Sequence, residues 1–248
     1  MDKEDNIQYL QLVGLKLLPT QLNKILKNLK FLFIFCILWL PSITVSNAVA
    51  EKLHFNVYRN DSLIGYHNLD FYEKDGLTES KIAIKFEVTF LGFVVYEYLH
   101  KNHEKWMNNT LVFMEASTDK NGDLLDCKVN KKENKFKILG TNGDFMLDKK
   151  ITPTTYWKFD QLITGEKNKV LNSQDCSYLN FEIKYLGDEM IYDNSLKASR
   201  YKLLGKEFTG DDVNIDIWYK DKKWVKMIFL KDGSTVEYFL KEYDSKKE

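Results

Sequence analysis

The sequence predicts an all-β, mostly antiparallel fold: a curved sheet or partial β-barrel with one short central helix, preceded by an N-terminal signal segment. Three observations carry this expectation. From Leu53 onward apolar residues recur with period two. Turn-forming Asn, Asp and Gly clusters interrupt that alternation roughly every ten residues, as between consecutive antiparallel strands. Ahead of it stands a basic flank, Lys27 to Lys30, followed by the apolar run Phe31 to Leu40 and the small-residue ending Ala48-Val49-Ala50.

The N-terminal fifth of the chain divides into two parts. Residues 27–50 read as a secretory signal, and residues 1–26 as an extension that a start site near Leu26 would remove. A retained anchor is the competing reading. It is disfavoured because Pro41, Ser42 and Thr44 interrupt the apolar stretch well short of the about 20 residues a spanning helix needs. Residues 51–248 then form one β-rich domain, since no Pro-, Gly- or Ser-rich linker and no internal repeat divides them.

Within that domain Leu53, Phe55 and Val57 begin the first strand, and Asn60-Asp61-Ser62 turns the chain into a second, Leu63 to Glu73. The third shows the clearest alternation, with Ile82, Ile84, Phe86, Val88 and Phe90 on one face and Ala83, Lys85, Glu87 and Thr89 on the other. Further strands are expected at Val94 to Trp106, Leu111 to Thr118, Leu124 to Val129 and Lys135 to Leu139. After Thr141 the pattern weakens. Pro153 through Ile163 reads as a short helix with Pro at its start, followed by a loop from Glu166 to Asp175. Strands resume at Tyr178 to Leu186, Glu189 to Asp193, Ser199 to Leu204, Val213 to Tyr219, Trp224 to Lys231 and Thr235 to Glu242. So many sequential strands must curl or close, which puts the helix against the concave side or in one end.

Local motifs for chemistry are absent from the sequence. His103-Glu104-Lys105-Trp106-Met107 has Met where a zinc-protease pattern needs its second His, and it lies in a strand. Asp119, Asn121 and Asp123 begin like a calcium loop, but Leu124 and Asn130 occupy the positions that require Gly and Glu, so a hairpin turn is expected. There is no phosphate loop, nucleophile elbow or C-x-x-C pair. No catalytic residue, metal site or cofactor is assigned.

The most site-like segment is Tyr96 to Trp106. One strand face would carry Tyr96, Tyr98, His100, Asn102, Glu104 and Trp106, with His67 as a cross-strand neighbour. Aromatic rings interleaved with hydrogen-bonding groups suit a pocket for an amphiphilic ligand, and they equally suit a satisfied polar core.

The runs Leu53-x-Phe55-x-Val57-Tyr58 with Ile64-Gly65-Tyr66-His67, Tyr96-x-Tyr98-x-His100 with Glu104-x-Trp106, and Thr118-Asp119-x-Asn121-Gly122 occur in order. Pro153-Thr154-x-Tyr156-Trp157 and Trp218-Tyr219 with Trp224-Val225-Lys226 follow. Together they resemble an exported proteobacterial family, domain of unknown function 6134, over nearly all of residues 53–240. The resemblance implies a periplasmic setting and a β-rich fold, and brings no catalytic residue.

Function is then expected to be a periplasmic binding or carrier module for an apolar or amphiphilic small molecule. The alternatives are an envelope assembly protein using the same surface for a protein partner, and a hydrolase built from His100 and Glu104 with cross-strand partners. Residues 51–248 carry 31 basic and 33 acidic side chains, because residues 1–50 hold five of the 36 lysines and arginines and three of the 36 acids. That balance gives no reason to expect nucleic acid, nor a membrane contact beyond an uncleaved signal segment. Loss of Cys36 with the signal would leave Cys127 and Cys176 as candidates for a disulfide in an oxidising compartment, although the sequence leaves open whether they meet. N-terminal sequencing of protein recovered from the cell envelope is expected to begin at Glu51. An intact cytoplasmic chain starting before Lys27 would contradict the export reading.

Overall fold

The computed structural model describes residues 49–164, 169–231 and 233–247. The extension 1–26, Cys36 and all of the signal segment except Val49 and Ala50 lie outside the described residues.

The dominant feature is a sheet of thirteen antiparallel strands, curved and not closed. Its strands are β1 (Val49–Arg59), β2 (Ser62–Lys74), β3 (Leu77–Phe90), β4 (Phe93–Met107), β5 (Thr110–Lys120), β6 (Asp123–Lys132), β7 (Lys135–Gly140) and β8 (Gly143–Leu147). They continue, after a crossing segment, as β12 (Glu182–Ile191), β13 (Leu196–Lys206), β14 (Asp212–Lys220), β15 (Lys223–Lys231) and β16 (Ser234–Leu240). Neighbours in the sheet are neighbours in sequence except at one seam, where β16 pairs with β1 through Phe55↔Leu240 and Val57↔Tyr238. Register follows from the turns. Asn60-Asp61, Asp75-Gly76, Asn108-Asn109, Asn121-Gly122 and Asp221-Lys222 all take positive φ, the geometry of tight two-residue hairpins. The open edges are guarded. β8 is short, and β12 carries Glu182, Lys184 and Asp188 with a bulge between Tyr185 and Gly187.

Alternation puts rows of facing residues on the inner face. Leu203, Ile215, Phe229 and Val236 stand opposite one another across β13 to β16, and Leu240, Phe55, His67, Ile84 and His100 do so from β16 through β1 to β4. Curvature lets strands far apart in the order meet: the ring of Phe86 on β3 stands edge-on to Tyr238 on β16 at 6.0 Å.

The inner face is crossed by residues 148–164 and 169–181, which carry β9 (Thr152–Pro153), the one-turn helix α1 (Phe159–Leu162), β10 (Lys169–Leu171) and β11 (Tyr178–Asn180). β9, β10 and β11 make a separate three-stranded sheet. Several expectations are corrected here. The helix does not begin at Pro153, because Pro153 belongs to β9 and Tyr156 adopts φ 57°, a left-handed conformation incompatible with helix. The loop Glu166 to Asp175 contains β10. The strand expected over Tyr178 to Leu186 is divided between β11 and β12, the second of which takes in Glu189 to Ile191, while Tyr192 and Asp193 turn at positive φ toward β13. β8 lay in the stretch where alternation fades.

A disulfide fastens the crossing segment to the sheet: Cys127 on β6 is bonded to Cys176. Gly140 makes the approach possible. It lies opposite Cys127 on β7, and a Cβ there would stand 2.4 Å from the Cys176 Cβ and 2.6 Å from the Asp175 carbonyl oxygen. The bond spans 49 residues, so the chain-entropy model assigns it about 4 kcal/mol. Cys127→Ser with Cys176→Ser is therefore expected to lower unfolding stability by about that amount, and both thiols should resist alkylation in the unreduced wild type. Complete alkylation of folded, unreduced protein would contradict the bond.

Candidate functional site

Between the crossing segment and the turns that join β1 to β2, β3 to β4 and β15 to β16, the inner face is left uncovered. A cavity of about 400 Å³ occupies this space. Its walls come from alternate residues of β3 and β4 on one side, Ile82, Ile84, Phe86, Tyr96, Tyr98 and His100, and from Ile215, Met227, Phe229 and Tyr238 on the other. Thr155 and Tyr156 of the crossing segment form its floor. Arg59, Lys120 and Lys231 stand at the mouth, where the strands end.

Aromatic packing fixes the walls. Tyr98 stacks between Phe86, at 5.4 Å, and His100, at 6.3 Å. In the cavity wall His67 is held edge-on by Trp224 at 5.2 Å and by Tyr238 at 5.7 Å. Burial, with Tyr96, Tyr156 and Glu207 nearby, pushes the Tyr98 hydroxyl far above its ordinary range, so it remains a neutral donor. Three polar atoms around the cavity have no hydrogen-bond partner in the protein although their side chains are almost wholly buried: His67 Nε2, Asn102 Oδ1 and Thr155 Oγ1. An unmet buried polar atom costs about 1–3 kcal/mol, so three in one place point to a hydrogen-bonding guest or water.

The face Tyr96 to Trp106 is thus divided. Tyr96, Tyr98, His100 and Asn102 line the cavity together with His67, whereas Glu104 and Trp106 lie below its floor. The fully buried Glu104 carboxylate accepts hydrogen bonds from Ser80 Oγ (3.2 Å), Asn102 Nδ2 (2.8 Å), Trp106 Nε1 (2.8 Å) and Trp157 Nε1 (3.3 Å). These four donors hold its pKa down, but burial outweighs them and raises it. Trp106 is fully buried against Trp157 and so is no direct sensor of the cavity.

His100 shares a hydrogen bond with Thr118 Oγ1 at 2.8 Å and none with Glu104, so the hydrolase pairing is not assembled. His54 and His103 face outward, against Asp70 and Glu79. Among the described residues no group of three or more His, Cys, Asp or Glu is placed to hold a metal. Sequence reasoning did not find the second wall, Ile215, Met227, Phe229 and Tyr238, nor the floor at Tyr156. The Pro153-Thr154-x-Tyr156-Trp157 motif was the available signal for the floor.

Burial lowers the His67 pKa to about 3, helped by His100, and that of His100 to about 4. Both folded-state values lie below the unfolded value, so the unfolded chain takes up protons that the folded chain excludes. Their contribution to stability is complete above about pH 6.5 and is lost as pH falls from there toward the folded values. Glu104, whose burial raises it above the usual carboxylate range, acts in the opposite sense, its effect being lost as pH rises. A His67→Phe variant isolates one group. Below about pH 6 its stability is expected to fall less steeply than wild type by about one proton, measured by urea unfolding across pH.

The family model for domain of unknown function DUF6134 matches residues 55–241. Comparison with curated proteins finds no match. Among solved structures, the beta-barrel-like protein of domain of unknown function DUF1849 from Brucella abortus is similar, with TM-score 0.49 and 10% identity, over 76% of this chain and 95% of that chain. The DUF6134 match runs from Phe55 in the first strand to Lys241 just past the last, taking in both cavity walls and the crossing segment. On that extent the chain belongs to the DUF6134 family.

Proposed function

We propose that the protein is a binding or carrier module that holds one apolar or amphiphilic small molecule on the inner face of its curved sheet, in the bacterial periplasm. The observation that carries this reading is the cavity itself: aromatic and aliphatic walls around three buried, unpartnered polar atoms. Apolar walls supply contact area and the few polar atoms fix orientation, which is the composition of small-molecule sites of about 300–1,000 Å³. His67 and His100 are neutral at physiological pH. They therefore offer hydrogen bonds without charge, which suits an uncharged headgroup, hydroxyl or carbonyl. The Cys127–Cys176 bond supports an oxidising compartment, in keeping with the signal segment.

Tyr98→Ala tests the reading, because Tyr98 lies half-buried against the cavity rather than sealed in the core. Affinity for an amphiphilic fluorescent dye is expected to fall by about tenfold or more, while unfolding stability falls by less than the about 3–5 kcal/mol of a full core aromatic truncation. A variant that loses that much stability yet binds the dye normally would show Tyr98 to be core and would remove support for the site.

A further inference from the structure

The cavity mouth carries a second feature that ligand binding does not require. The β3–β4 hairpin ends in Phe90-Leu91-Gly92-Phe93-Val94-Val95, and every one of these residues is exposed, with Leu91 at 81%, Phe93 at 74% and Phe90 at 65%. Leu63, Leu124 and Leu230, beside the neighbouring turns at the same end of the sheet, are exposed too.

Folding does not account for the tip. Leu91 has φ 51° and Gly92 φ 84°, the turn for which Asn-Gly is the cheap solution and a branched aliphatic residue an expensive one. The two-residue hairpins at Asn60, Asp75, Asn108, Asn121 and Asp221 all begin with Asn or Asp. Leu91 and Glu133, which opens the β6–β7 hairpin, are the exceptions, and among the described residues Leu91 is the one aliphatic side chain at positive φ.

Geometry chooses between occupants. Phe90 and Phe93 are cross-strand partners on one face of the ribbon, while Val94, paired with Thr89, stands on the other. A ribbon docked on a protein presents one apolar face, whereas one surrounded by acyl chains must be apolar on both faces and at its tip. No charged residue lies between Glu87 and Glu97, and Lys85 bridges that pair at 3.6 and 4.0 Å. Leu91 stands four residues beyond this charged row, about 13 Å at 3.3 Å per residue. That reach suffices for the about 5–10 Å depth of the headgroup–acyl boundary.

We propose that this end of the sheet docks on a lipid bilayer, the β3–β4 tip entering the acyl boundary so that the cavity mouth faces the membrane. Beside the mouth Lys206 pairs with Asp212 at 2.9 Å and Lys231 with Asp211 at 3.6 Å, which leaves Arg59 and Lys120 as the mouth cations without an ion pair among the described residues. Because the inserted tip itself carries no charge, docking is driven by apolar insertion, needs no anionic lipid and survives high salt. It goes beyond the carrier reading and is tested without a cavity ligand.

The test adds the full-length protein to phosphatidylcholine vesicles with plain or brominated acyl chains. Phe93→Trp is expected to gain emission that shifts to the blue and is quenched by brominated lipid, whereas Tyr72→Trp, at the opposite end of the sheet, gains emission that is not. Leu91→Asn, which suits the turn and preserves the fold, is expected to lower vesicle partitioning by about tenfold, unchanged in high salt. Indifference of the Phe93→Trp emission to brominated lipid would overturn the proposal. So would equal partitioning of Leu91→Asn and wild type, or a dimer in solution that the same substitution abolishes while vesicles bind neither protein.

Discussion

The arrangement depends on one constraint: a carboxylate removed from water must be given hydrogen bonds. Glu104 is fully buried, and its donors come from three places, Ser80 on β3, Asn102 and Trp106 on β4, and Trp157 on the crossing segment. Leaving such a group unmet costs several kcal/mol, so Trp157 cannot leave without penalty. Lys158, next in the chain, lies over the rings of Trp106 and Trp157 at 5.0 and 4.4 Å, adding cation–π attraction. The knot thereby fixes the height at which the segment crosses the sheet.

Two further ties complete that placement. The Cys127–Cys176 bond anchors the far end of the segment to β6, and the Tyr219 hydroxyl on β14 donates to the Tyr156 carbonyl at 2.7 Å. Tyr156 is held in its left-handed conformation between them, turning its ring upward as the cavity floor. Below it the inner face is packed solid with Trp106, Leu111, Met114 and Val129. Above it, among the described residues, the curve forms the walls of the cavity. The cavity is thus the space left when a short plug is fastened low in a long sheet, and its unpaired polar atoms break the rule of satisfied burial that the core below obeys.

Period and turn chemistry made most of the sheet legible, because a one-face core forces strict alternation and tight hairpins demand Asn, Asp or Gly. Ile82 to Phe90 and Asn121-Gly122 show both. The crossing segment was not legible. Its strands are only two or three residues long, and its path is set by Glu104 and Cys127, which are remote in sequence. The face Tyr96 to Trp106 could be read, but a strand pattern gives the face and not the depth. Tyr98 and Glu104 are equivalent by alternation, and only the floor at Tyr156 separates a cavity wall from a buried knot. The second wall, Phe229 and Tyr238, comes from the seam between β16 and β1, which local patterning does not reveal. Likewise the apolar run at Phe90 to Val95 reads as strand until its exposure is seen.

Cavity, mouth and tip share one axis of the fold, with a packed base, a fixed floor and an open apolar end. Native mass spectrometry of protein purified from cells without detergent tests the central claim most directly. The account predicts a complex with one small apolar or amphiphilic molecule, released when the fold is denatured. Protein carrying only its own mass, and remaining so after incubation with a lipid extract from the same cells, would contradict it.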